Sequence, residues 1–187
     1  MQEEIDLVIE TTKESMQDSV AHLQRELVKI RSGKASPDML DGLKVEYYGA
    51  QTPLSGVATI KVVDGRTLSI QPWEKKMISL IEQSIFAANL GVTPQNDGEV
   101  VRIVIPMLTE ERRQQLVKQA SAAAENAKIS IRSARKDAMD EIKKAVKNGY
   151  SEDAGKNAET DVQDLTNKYI GQVESIFDAK EKELMTV

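Results

Sequence analysis

The amino-acid order predicts an α+β protein of two domains: an elongated antiparallel three-helix bundle into which a small β/α/β domain is inserted. Three observations carry that prediction. Long stretches at both ends of the 187-residue chain repeat apolar residues at steps of three and four, the period of an amphipathic helix. Between them the apolar residues fall into short β-branched runs punctuated by glycine and proline, which are strand signals. Only 4% of the residues are aromatic, and a core built mainly of Ala, Val, Ile and Leu suits helices packed side by side.

The first helix is read over residues 1–30, with its seam at Ile5, Ile9, Met16, Val20, Leu23, Leu27 and Ile30 and with Thr12 filling a gap. It stops at Arg31-Ser32-Gly33, and Pro37 follows. Strands are expected at Leu43 to Tyr48, Val57 to Val63, Arg66 to Gln71 and Val100 to Ile105, with Asp64-Gly65 as a hairpin turn. A shorter helix is read from Glu74 to Leu90, ending at Gly91. The second long helix starts after Thr109, a fair N-cap, with Glu110 and Glu111 at the positive end of its dipole. Its apolar stripe runs through Leu116, Ala120, Ala123, Ala127, Ile131, Ala134, Ala138 and Ala145. Asn148-Gly149 ends it, and Ser151-Glu152-Asp153 opens a third helix through Val162, Leu165, Tyr169, Val173, Ile176 and Leu184.

This order implies a topology. The seam of the first helix has to be buried, and the nearest matching seams lie beyond residue 109. Residues 1–30 and 107–187 are therefore assigned to one discontinuous bundle, and 31–106 to the inserted α+β domain. Two connectors join them, with Arg31, Ser32, Gly33, Lys34, Pro37 and Pro106 as the hinge candidates. At 1.5 Å per residue the second long helix is roughly 55 Å long, so an elongated molecule is expected.

Catalysis finds no foothold. There is no cysteine and one histidine, His22, so disulfides, thiolate ligands and cysteine nucleophiles are excluded and a zinc site is not expected. His22 reads as a solvated or partly packed helix residue. Gly33-Lys34 lacks the spaced glycine of a phosphate loop, and the carboxylates near helix starts are explained by capping. The methionines read as packing residues, and Trp73, after Pro72 at a strand end, is expected in a core, with a contact role as the second reading. No cofactor or metal is expected, and the protein is not read as an enzyme. No apolar run approaches the ~20 residues needed to cross a bilayer. The start of the chain is acidic and helix-patterned, unlike a signal or transit peptide. A soluble, cytoplasmic protein is expected, without a membrane partner.

One feature points to a partner. The net charge is -5, yet residues 110–147 are the only segment in which Lys and Arg outnumber Asp and Glu. Lys128, Arg132, Arg135 and Lys136 stand at spacings that a 3.6-residue helix gathers onto one side, apart from the apolar stripe. Arg112 and Arg113 add charge near the helix start, and Arg31 and Lys34 at the elbow. Such a stripe fits a polyanion, RNA first of all, with arginine reading phosphate pairs and lysine supplying point charge. No interleaved aromatic set is present for stacking bases, so contact with folded RNA by shape and phosphate is expected. A charged helix face is ordinarily only solvated, and Asp137, Asp140 and Glu141 can pair with basic neighbours. Patterning alone leaves both readings standing, the second making the bundle a helical adaptor or co-chaperone that binds proteins.

Several motifs carry a resemblance. Ile30-Arg31-Ser32-Gly33-Lys34-Ala35-Ser36-Pro37 resembles the first-elbow signature of bacterial ribosome recycling factors, and Val45-Glu46-Tyr47-Tyr48-Gly49 with Thr52-Pro53-Leu54 resembles the strand and turn that follow. Leu108-Thr109-Glu110-Glu111-Arg112-Arg113, Ile131-Arg132-Ser133-Ala134-Arg135-Lys136-Asp137-Ala138 and Ser151-Glu152-Asp153 are similar to that family's helix starts and basic helix motif, in collinear order. The resemblance implies a non-enzymatic, tRNA-like, L-shaped factor, expected to be a monomer. With elongation factor G and GTP hydrolysis it would split the post-termination ribosome and release mRNA and tRNA. It also implies a large-subunit rRNA contact through Arg132 first, then Lys128, Arg135, Arg112 and Lys136, with the small domain reaching towards the small subunit and elongation factor G. Ser133 stands where asparagine is frequent, and Lys34, Lys128 and Lys136 stand where arginine is common; lysine does not reproduce a bidentate fork.

Overall fold

A computed structural model of the chain describes residues 1–186. The chain divides into two compact units, Met1–Ser32 with the chain from Glu110 onward, and Gly33–Thr109.

The first unit is three long helices: α1 (Gln2–Val28), α3 (Glu110–Lys147) and α4 (Glu152–Met185), α2 belonging to the other unit. α1 buries Ile5, Thr12, Met16, Val20, Leu23 and Leu27, spaced by three, four and seven as a single seam demands. Thr12 meets the cost of its buried hydroxyl by donating to the Val8 carbonyl at 2.6 Å. α3 runs antiparallel to both partners. The Tyr150 hydroxyl just beyond its end donates to Gln2 at the start of α1, while Lys128 reaches Glu174 and Arg135 reaches Gln163 on α4.

α3 ends as a Schellman motif: the Tyr150 N–H donates to the Ala145 carbonyl at 3.0 Å, and the Gly149 N–H to that of Val146 at 3.1 Å. Gly149 takes φ 99° there, a conformation glycine adopts without a Cβ clash. Ser151 then caps α4 by accepting from the Ala154 N–H. The turn brings the backbone of α4 hard against α3, and a Cβ on Gly155 would stand 2.6 Å from Val146 Cγ2.

The apolar stripe of α3 is rotated slightly from the sequence expectation. Ala124 and Ile142 are buried, whereas Ala123, Ala134 and Ala145 are half-buried. Arg113, expected to add surface charge, is a core residue. Only 7% of it is exposed, and its Nη1 donates to the carbonyls of Leu184 (3.1 Å) and Thr186 (2.9 Å). Those carbonyls belong to the last turn of α4 and its end, where orphan acceptors and the negative end of the helix dipole favour a cation.

The second unit has its own core. A hairpin, β1 (Lys44–Tyr47) with β2 (Ala50–Pro53), stands beside a four-stranded antiparallel sheet of β3 (Ala58–Asp64), β4 (Thr67–Pro72), β5 (Pro94–Asn96) and β6 (Val101–Val104), ordered β3-β4-β6-β5. Helix α2 (Ile78–Ala87) follows a 3₁₀ turn at Lys75–Met77, so it is shorter than the Glu74 to Leu90 reading. Leu68, Ile70, Val101 and Ile103 of the sheet pack with Ile81 and Ile85 of α2. β2 and β5 were not anticipated, because neither carries a β-branched or aromatic run. Tyr47 pairs with Ala50 across a two-residue turn in which Tyr48 (φ 48°) and Gly49 (φ 79°) are both left-handed, the type I′ geometry. At the β3–β4 turn the Asp64 carboxylate accepts from the Arg66 N–H at 2.8 Å. That bond, ahead of weaker help from Thr67, holds its carboxyl below the usual carboxylate range.

Trp73 is not in this core. It is 66% exposed, and its indole N–H donates to Thr59 Oγ1 at 3.2 Å. Pro72 takes the inward position instead, which leaves the next residue of an alternating strand facing out. Beside it Glu74 accepts from the hydroxyls of Tyr47 and Tyr48 and pairs with Lys76. The Lys76 ammonium sits 4.2 Å over the Tyr48 ring.

Candidate nucleic-acid interface

α3 displays its basic residues on a rigid, continuous helix. Arg132 is the most available of the arginines singled out on the stripe: half of its side chain is exposed, and Nη1 lies 3.6 Å from Glu125 Oε1. Lys136, one turn on, is exposed. Lys128 is drawn towards α4, with 22% of its side chain exposed and its Nζ 3.4 Å from Glu174 Oε1. Arg135 is half-buried. Its Nη1 donates to Gln163 Oε1 at 3.1 Å, and its buried Nε has no hydrogen-bond partner among the described residues. The four cations thus share one side of α3, but Arg132 and Lys136 face outward while Lys128 and Arg135 line the seam with α4.

Arg112 does not belong to this cluster. It is exposed in the first turn of α3, where Nη1 reaches Gln115 Oε1 at 3.1 Å. It lies twenty residues before Arg132, about 30 Å along the helix axis. Two exposed lysines that the sequence reading passed over, Lys118 and Lys143, share the outward face with Arg132. Their spacings of fourteen and eleven residues return to the same side of a helix, a signal available in the sequence. Ile129, one turn before Arg132, is 55% exposed.

The connector residues are spread between the two units. Arg31 is exposed and Ser32 is buried at the end of the first; Gly33, Lys34, Pro37 and Pro106 lie in the second. Pro37 opens a 3₁₀ turn capped by Ser36. Gly33 is left-handed at φ 77°, and a Cβ there would stand 2.8 Å from Leu108 Cγ.

Elsewhere, His22 is exposed and lines an open groove of about 500 Å³ between α1 and α3, with Asp18, Arg25, Asn126, Ala127 and Ser130 among the other lining residues. Among the described residues no group of three or more His, Asp or Glu could hold a metal ion. Among the described residues no helix is long and apolar enough to cross a membrane.

The family model described as ribosome recycling factor matches residues 23–185. The ribosome-recycling factor of Flavobacterium johnsoniae is 54% identical over 187 residues, covering 100% of both chains. That of Cytophaga hutchinsonii is 52% identical over 185 residues, covering 99% of this chain and 100% of its own. A solution structure of a ribosome recycling factor superposes with a TM-score of 0.78 at 34% identity, covering 98% of each chain. A second structure is that of the T. thermophilus ribosome recycling factor, described with E. coli elongation factor G bound to the E. coli post-termination complex. It matches with a TM-score of 0.62 at 38% identity over 97% of this chain and 99% of that one. With the match running through both units and across the whole basic helix, the chain belongs to the ribosome recycling factor family.

Proposed function

We propose that this protein binds the post-termination ribosome and, with elongation factor G and GTP, splits it into subunits, releasing mRNA and tRNA. Its footing is large-subunit rRNA, contacted by the outward face of α3 with Arg132 at the centre. The observation that carries this reading is the placement of Arg132: an exposed guanidinium fork, mid-way along a 38-residue helix, in a family whose structural neighbour is described on the post-termination complex with elongation factor G. Lys136, Lys128 and Arg135 add positive charge beside it, and Arg112 supplies a separate contact near the helix start.

The protein acts mechanically rather than as an enzyme, as a cytoplasmic monomer without cofactor. The small unit faces the small subunit and elongation factor G, and the connectors at Arg31 to Pro37 and at Pro106 serve as the hinge. The adaptor reading loses support from the bundle surface. Among the described residues, the exposed large apolar side chains of its helices, Leu7 and Val28 of α1, Ile129 of α3 and Met185 of α4, are divided among all three rather than gathered in one stripe.

The test is Arg132→Glu. Large-subunit affinity should fall sharply and subunit splitting with elongation factor G and GTP should fail, while the circular dichroism of the helices stays unchanged, because the side chain is exposed. Unaltered affinity would remove α3 as the footing.

A further inference from the structure

The seam between α3 and α4 treats its two cations differently. Lys128 meets a carboxylate, that of Glu174, at 3.4 Å. Arg135 meets an amide: its Nη1 donates to Gln163 Oε1 at 3.1 Å. Gln163 is itself fixed, because its Nε2 donates to Asn167 Oδ1, one turn further along α4, at 2.9 Å. Acids outnumber bases on α4, and a glutamate at 163 would give a stronger, charge-assisted bond between the helices. That bond would also neutralise the guanidinium. Glutamine orients the side chain and leaves its charge whole. The buried Nε of Arg135 has no partner among the described residues, which costs stability, so the side chain is poorly suited to holding the helices together. With Nε turned inward and Nη1 on the amide, the Nη edge is what the fork can offer to a phosphate.

We propose that Gln163, steadied by Asn167, is a positioning residue of the RNA footing that aims the Arg135 guanidinium at phosphate without neutralising it. A free arginine side chain spreads over many rotamers, and ordering it on binding weakens the complex. Here a neutral partner does the ordering in advance. The footing then extends from α3 onto α4 through two uncharged residues that charge counting passes over. This inference rests on the proposed rRNA footing and names the residues that set the geometry of one of its cations.

The experiment measures dissociation constants of the full chain for large ribosomal subunits over a salt series, with the urea midpoint of every variant. Glutamine, glutamate and methionine have similar helix propensities, so substitution at 163 tests the side-chain contact. Gln163→Glu keeps the bond and pairs the charge. Its urea midpoint should hold or rise, while affinity falls and the salt slope drops by about one. A glutamine that served only the bundle would not drive those two readouts apart. Gln163→Met removes the bond and spares the charge. Affinity should fall roughly two- to tenfold, the net worth of one hydrogen bond, with the slope unchanged. In an Arg135→Ala background the Gln163→Met loss should vanish. Gln172→Glu adds the same charge nine residues on, at an exposed position on the opposite side of α4, and should bind as the parent does. Persistence of the Gln163→Met loss without Arg135 overturns the proposal, as does parent-like binding of Gln163→Glu or an equal fall in Gln172→Glu. Arg132→Ala separates this role from the footing itself. If it leaves large-subunit binding intact, the footing is wrong and the positioning role falls with it. If it weakens binding while the Gln163 variants bind like the parent, only the positioning role falls.

Discussion

Arg112 and Arg113 are neighbours in sequence and identical in chemistry, yet one is exposed at the start of α3 and the other clamps the last carbonyls of α4. Charge counting cannot separate them, because the distinction lies in acceptors more than seventy residues away. Arg113→Met keeps an unbranched apolar stem but removes the donors, leaving the buried Leu184 carbonyl and the part-buried Thr186 carbonyl without them. It should lower the unfolding free energy of the helical unit by about 1–3 kcal/mol, read as a shifted urea midpoint. RNA affinity should be untouched. Arg132 behaves oppositely. Arg132→Ala should leave the urea midpoint in place and reduce the salt slope of large-subunit binding by about one. Local reasoning found the spacing that gathers Lys128, Arg132, Arg135 and Lys136. It could not find Glu174, which lies on another helix, although Glu125 was within reach at seven residues. Trp73 was misread for a related reason: its hydrophobicity argues for a core, whereas strand alternation after Pro72 turns it outward.

The helices were the legible elements. Each has a long periodic seam and an acidic first turn, the first two also meet a glycine or serine stop, and these signals agree with one another. The small strands β2 and β5 were not legible, because their pairing partners rather than their own side chains hold them in place. Two glycines act at this level. Gly155 allows α4 to cross close to α3, and the obstructing atom is a γ-methyl of Val146, a β-branched residue with little rotamer freedom. Gly155→Ala should therefore destabilise the bundle by about 1–3 kcal/mol, and Val146→Ala in the same chain should recover part of the loss. Additive losses in the double variant would mean the clash is not the cause. Gly33 is a poorer place to stiffen a connector than its position suggests. Proline holds φ near −65° where the chain needs 77°, so Gly33→Pro would strain the backbone as well as restrict it. A loss of splitting in that variant could not be assigned to a hinge.

Each unit closes its own core, one around Leu68, Ile70 and Ile81, another including Ile5, Ile142 and Val162 at the α3–α4 turn. In the sequence a helical period gives way to short strands and then returns. Ile81→Ala should destabilise the smaller unit by about 2–5 kcal/mol, and Ile131→Ala the helical one. Trp73, the single tryptophan, reports the smaller unit by fluorescence, while far-ultraviolet circular dichroism follows the helices. Ile81→Ala should move the fluorescence transition and leave the helical one; movement of both together would show the cores to be coupled.

The discontinuous bundle also has a history written into it. During synthesis α1 emerges ahead of α3 and α4, with six side chains awaiting burial, while the ribosome makes all of Gly33–Thr109 before either partner helix exists. At translation speeds of about 5–20 residues per second, that wait lasts roughly 4–15 s, far longer than a helix takes to form. The clamp of Arg113 on the end of α4 forms only once Leu184 and Thr186 have been made. Until α3 and α4 follow, the apolar seam of α1 stays uncovered. A ribosome that stalls late on its mRNA would present a folded small unit and a bundle unable to close.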